Sequence, residues 1–200
     1  MNDLAQLLNN HLILDFSHVY CDENIPRNDK IHWIDCSDIY ECDLYCSQSA
    51  EEEIHRRIDP YGIGGIHFLD SGNYHYVTKI MTDRISEPFS LILFDHHTDM
   101  QPPLIDGMNS CGDWARSVLL TNPNLQQLVL IGPKKADIQA VFTDKQLKAR
   151  EKKMLKEKLI AFPAEELRAG EGHEKAEKIR MDVPFYISID KDVLDERYCE

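Results

Sequence analysis

Nowhere in these 200 residues does an apolar run approach the ~18–20 residues a helix needs to cross a bilayer, so no spanning segment is expected. Positive charge is scarce too: 22 Lys and Arg stand against 35 Asp and Glu, a net charge of −13. A phosphate backbone is held by clustered cations, so nucleic acid is excluded as a partner, and an anionic membrane surface with it. Residues 1–14 mix Asn, Asp, Gln and His with leucines and lack a basic start, so they do not read as a secretion signal. A cytoplasmic, reducing setting follows for the six cysteines, Cys21, Cys36, Cys42, Cys46, Cys111 and Cys199. Cys42 and Cys46, with His55 nearby, fall short of a zinc site because no second cysteine pair completes four ligands. Small buried thiols are expected instead. Internal repeats and low-complexity linkers are also lacking, so residues 1–200 read as a single domain.

What the chain does have is alternation. Short apolar, β-branched runs predict strands over 12–16, 31–35, 65–69, 90–95, 128–131, 159–162 and 185–190. Leu91-Ile92-Leu93-Phe94 and Leu128-Val129-Leu130-Ile131 are apolar on both faces, as strands covered on both sides must be. Between them, Ser49-Ala50-Glu51-Glu52 reads as a capping box opening a helix. Short helices are expected over 78–85 and 113–120, and a charged surface helix over 143–158. A polar helical stretch over 164–181 is interrupted at Gly170-Glu171-Gly172. Repeated βα alternation selects a three-layer α/β/α fold with a mainly parallel sheet. Ligands of such sheets bind beyond the carboxyl ends of the strands.

The chemistry-bearing residues lie at two such ends. Asp95-His96-His97-Thr98-Asp99 follows one apolar run, and Asp190-Lys191-Asp192 follows another. If the strand continued, alternation would turn Asp95, His97 and Asp99 to one face and His96 and Thr98 to the other. Asp190 and Asp192 share the same spacing. Four carboxylates and an imidazole held together call for cations, and an oxygen-rich set without thiolate suits Mn²⁺ or Mg²⁺ better than structural zinc. Two ions sharing bridging carboxylates would neutralise the set, ionise a bridging water and polarise a substrate atom.

Asp95–His97–Asp99 resembles the Asp-Ala-His-x-Asp signature of arginases, agmatinases and formiminoglutamases. Ser188-Ile189-Asp190-Lys191-Asp192-Val193-Leu194-Asp195 is similar to their Ser-x-Asp-x-Asp-x-x-Asp-Pro signature, and the order and separation of the two along the chain agree. Ser71-Gly72-Asn73-Tyr74-His75 is a looser counterpart of their Gly-Gly-Asp-His, which makes His75 the sixth candidate ligand. The resemblance runs from about residue 65 to 195 and implies an arginase-like fold. It implies two divalent ions, manganese first and zinc as the alternative, held by His75, Asp95, His97, Asp99, Asp190 and Asp192. Asp99 and Asp190 would be the catalytic carboxylate bridges. A metal-bridging hydroxide would cleave a C–N bond of a small guanidino or amidino compound. The implied partners are that substrate and, at most, further copies of the chain.

Departures bear on specificity. His96 stands where the family has Ala and is expected as a packed ring rather than a ligand. Residues 100–114 hold no counterpart of the proton-shuttling His of arginases, and Cys111 there has no base beside it to make it a nucleophile. Glu196 replaces the signature proline, and the family's guanidinium-binding Glu falls beyond Glu200, so arginine specificity is not supported. Two other readings compete. A zinc deacetylase of related fold would use Asp95, His97 and Asp190, and a non-catalytic relative would bind metal without turnover.

Overall fold

The computed structural model describes residues 11–21, 25 and 30–194, and these form two compact units. In chain order the first elements are β1 (His11–Asp15), β2 (Ile31–Asp35), β3 (Tyr45–Cys46), α1 (Gln48–Ile58), β4 (His67–Phe68) and α2 (Val77–Thr82). Then come β5 (Phe89–Phe94), β6 (Asn109–Ser110), α3 (Trp114–Thr121), β7 (Leu125–Ile131), α4 (Lys135–Thr143) and α5 (Ala149–Lys158). The last are β8 (Leu159–Phe162), α6 (Ala164–Arg168), α7 (His173–Ala176) and β9 (Phe185–Ile189). Strands and helices interleave and the main sheets are parallel, which is the expected α/β class.

One unit comprises Met1–Arg84 with Pro103–Cys111. Its sheet has the order β2-β1-β4, with both neighbours parallel to β1. Leu12, Ile13 and Leu14 are all buried, because a central strand in such a sheet is covered on both faces. Ile54 and Ile58 of α1, with Val77, Ile80 and Met81 of α2, complete this unit's core. The two-residue strands β3 and β6 pair antiparallel, a feature too short to leave a sequence signal.

The expected capping box is displaced. Ser47, not Ser49, is the N-cap of α1, and its hydroxyl accepts from the Ala50 amide at 3.2 Å. Glu52 instead accepts from the Gln48 side chain at 2.9 Å. Two serines two residues apart look alike locally, and entry of the chain from β3 decides between them. Ser47→Ala should therefore cost about 1 kcal/mol, whereas Ser49→Ala should stay within ~0.5 kcal/mol. Urea unfolding of the two variants measures the difference, and equal costs would return the cap to Ser49.

The other unit comprises Ile85–Pro102 with Gly112–Glu200, and its sheet has the order β8-β7-β5-β9, parallel throughout. The last register pairs join Ile131 to Phe162 and Phe94 to both Ile131 and Ile189, so the carboxyl ends form a single rim. Leu91 and Leu93, Leu128 to Leu130, and Trp114, Val118 and Leu119 of α3 are buried together as its core. The helix expected over 143–158 begins only at Ala149, with the Lys148 amide held by Glu151 at 2.7 Å. α4 was not expected and precedes the break. The stretch over 164–181 holds only two short helices, divided at Gly170 and Gly172, whose φ values of 70° and 100° no continuing helix could accept. Among the described residues, no helix is long and apolar enough to cross a membrane.

Candidate metal centre

β5 is the inner strand next to β9, so the two acidic motifs leave the sheet side by side. The ladder runs one residue past each strand: the Asp95 amide donates to Ile131 at 3.0 Å, and the Asp190 amide donates to Phe94 at 2.8 Å. The adjacency expected of the two motifs is thus set by main-chain pairing.

Beyond Asp95 the chain departs from the extended form on which face alternation rests. The Asp95 carboxylate captures the His97 amide at 2.6 Å, which folds the segment into a turn. Asp99 then takes a left-handed φ of 48°. Thr98 and Asp99 are consequently both buried, while the His97 side chain is 64% exposed, so residues 95, 97 and 99 do not share one face. The second motif turns as well: Asp192 lies in the 3₁₀ turn Lys191–Val193, and its amide donates to the Asp190 carboxylate at 3.2 Å. A short polar side chain that captures a nearby amide ends the strand in both cases.

The turns bring the motifs into contact. One Asp192 oxygen accepts from the His96 amide at 3.0 Å, and the other lies 2.9 Å from His97 Nδ1. His97 Nδ1 is 3.5 Å from an oxygen of Asp95. Asp95, His97 and Asp192 therefore present three ligand atoms within 4.8 Å of one another, and Asp95 also brings an oxygen within 4.8 Å of one on Asp99. Among the described residues, Asp190 is not part of such a group; its carboxylate braces the turn that delivers Asp192. His96 supplies its amide to Asp192 and packs its ring edge-on against His97, 5.4 Å between centroids.

Two buried residues shape the site without belonging to either motif. The Trp114 indole donates to Asp99 Oδ2 at 2.6 Å, while the Asp99 carbonyl accepts from the amides of Ala115 and Arg116 at the start of α3. Asp99 is thereby fixed at both ends. Gly132 follows β7 with φ 117°, and a Cβ there would collide with the Asp95 carbonyl and lie 2.6 Å from Val193 Cγ2. Neither residue carries a local signal; each acts through an element distant in sequence.

His75 lies in the first unit, buried after the 3₁₀ turn Gly72–Tyr74. Its amide bonds to Gly72 and its carbonyl accepts from Thr78 at 3.0 Å. The cap position of α2 is Tyr76, which makes no side-chain cap hydrogen bond. Asp195 lies outside the described residues. Cys36, Cys42 and Cys46 are buried thiols, with desolvation pushing Cys36 and Cys46 up to about 12.

The donor set of the second unit suits a hard or borderline divalent cation. It is carboxylate oxygen with one imidazole and no sulfur. Adjacent donors of an octahedral ion at ~2.1 Å lie roughly 3 Å apart, and the contacts of 2.9 and 3.5 Å from His97 Nδ1 bracket that spacing. The sequence profile of the arginase family matches residues 16–199. The chain belongs to the arginase family. It is also 29% identical over 135 residues to an uncharacterized protein of Thermotoga maritima; that match takes in 66% of this chain but only 43% of the relative. No solved structure matches the chain. Membership in the arginase family points to a metal-dependent hydrolase, and the carboxylate–imidazole cluster could hold a metal ion.

Proposed function

We propose that this chain is a binuclear manganese hydrolase that cleaves a C–N bond of a small guanidino- or amidino-type substrate other than arginine. The observation that carries this reading is the convergence of Asp95, His97 and Asp192 at the paired ends of β5 and β9. By the family pattern, Asp99, Asp190 and His75 would complete the ligand set. Bound there, divalent ions would supply Lewis acidity, lowering the pKa of water and polarising the substrate.

The chain's own residues supply the rest. Trp114 holds Asp99 in one orientation, so that carboxylate loses little freedom on meeting a cation. The Asp95–His97 and Asp192–His96 main-chain bonds preset the imidazole before any ligand arrives. The reading away from arginine rests on residues 100–114, which hold no histidine where arginases carry their proton shuttle. A cytoplasmic location belongs to the same proposal, supported by Cys21, Cys36, Cys42 and Cys46, which are not bridged by disulfides.

The test is to load the full chain with Mn²⁺, measure metal per chain, and assay arginine, agmatine, guanidinobutyrate and formiminoglutamate. We expect stoichiometry approaching two ions and metal-dependent turnover of a substrate other than arginine. A single bound ion would remove the binuclear reading. Efficient arginine cleavage would remove the specificity reading, and inactivity on all four with both ions bound would overturn the enzymatic one.

A further inference from the structure

We propose that Asp15, His18 and Cys21 form a separate zinc site in the first unit, at the carboxyl end of β1. Their ligand atoms lie within 4.8 Å of one another, and none of the three takes part in the centre built on Asp95.

The loop that carries them is built rather than loose. Asp70, just past β4, accepts from the amides of Phe16 and Ser17 at 2.9 and 2.8 Å and from the Ser17 hydroxyl at 2.7 Å. The Tyr20 hydroxyl accepts from the Asp70 amide at 2.8 Å. His18 takes a left-handed φ of 62°, and the Cys21 amide closes back on the His18 carbonyl at 3.0 Å. A left-handed histidine is an uncommon conformation, held here by that network.

Asp15 supplies an independent indication of a cation. It is only 3% exposed, and its Oδ2 accepts from the Trp33 indole at 3.1 Å and lies 3.1 Å from His18 Nδ1. Its Oδ1 is fully buried, and among the described residues no donor reaches it. A buried acceptor without a partner is costly, more so when it carries charge, and a cation held at this carboxylate would offset that cost. The neighbouring charges are engaged elsewhere. Ser37 occupies the Asp35 carboxylate, and Arg57 is bound by Asp38 and Glu53.

The donors identify the ion. One thiolate, one imidazole and one carboxylate are a borderline-soft set, which favours zinc over the manganese suited to the other centre. Donors at ~2.0–2.1 Å in a tetrahedron are roughly 3.3 Å apart, close to the 3.1 Å between His18 Nδ1 and Asp15 Oδ2. Three protein ligands would leave the fourth position to water.

Sulfur makes the test specific. Co²⁺ titrated into the metal-free full chain should give a near-ultraviolet thiolate-to-cobalt absorption, which the sulfur-free set of Asp95, His97 and Asp192 cannot produce. Zn²⁺ should abolish the band by competition. Cys21→Ser and His18→Ala, both at exposed positions, should remove it and weaken Zn²⁺ binding by at least about 100-fold. Asp192→Ala should leave it intact. Absence of the band in the parent chain, or its survival in Cys21→Ser, would overturn the site, whatever the outcome of the manganese experiments.

Discussion

Replacing Asp192 by asparagine should weaken Mn²⁺ binding by about 100-fold or more while shifting the melting temperature of the metal-free chain by no more than ~2 °C. The asymmetry follows from where the side chain sits. It is 39% exposed, so its exchange for an isosteric amide disturbs little packing. The amide oxygen can still accept from the His96 main chain, which keeps the turn. What is lost is a negative charge beside His97 Nδ1, within reach of any cation shared with Asp95. Equilibrium dialysis against Mn²⁺ and thermal melts of both proteins measure the two effects. Unchanged affinity would reduce Asp192 to a brace for residues 96 and 97.

Gly132→Ala should be the most damaging single methyl group in the second unit, at a cost on the order of 3 kcal/mol, roughly 6–12 °C in melting temperature. The new Cβ would meet main chain at Asp95, which cannot swing aside as a flexible side chain would, and Val193 closes the other side. The φ of 117° adds conformational strain. Gly107 provides the control. Its φ is 80°, but a Cβ there would have nothing within 4 Å, so Gly107→Ala should cost only the strain, about 1 kcal/mol. Equal losses at the two positions would show that crowding against Asp95 and Val193 does not matter. Because the collision touches both motif segments, Mn²⁺ binding should weaken in Gly132→Ala and not in Gly107→Ala.

Much of the architecture is written in local pattern. All seven expected strands occur, with ends shifted by three residues at most, because runs such as Leu128–Ile131 can satisfy burial only between covered faces. The neighbouring placement of Asp95 and Asp190 was equally legible, since parallel strands align their carboxyl ends. What local pattern could not supply was the course of the chain past those ends. Alternation gives the wrong faces for residues 95–99 because the Asp95 side chain competes with the sheet for the His97 amide. The orientation of Asp99 depends on Trp114, fifteen residues away, through a buried indole N–H. The break between α4 and α5 is fixed by Asp144, which holds the Gln146 amide and pairs with Arg116 of α3 at 2.6 Å. No window around residue 144 contains that partner. The Asp15–His18–Cys21 grouping is likewise visible only once Asp70 has folded the loop after β1.

β9 carries the second acidic motif, yet among the described residues its only strand partner is β5. Ile187 and Ile189 on it are 56% and 64% exposed. An outer strand secured from one side is the part of a sheet that opens first in local unfolding, and its amides should exchange with solvent ahead of those in β5 and β7. Each opening would carry Asp192 away from His97, so a cation clamped between them would have to leave before the strand could peel. Ion binding and the cohesion of this edge then become one equilibrium: an occupied site would slow amide exchange along β9 in proportion to ion concentration over its dissociation constant, and chelation would release the strand while the rest of the sheet stayed closed.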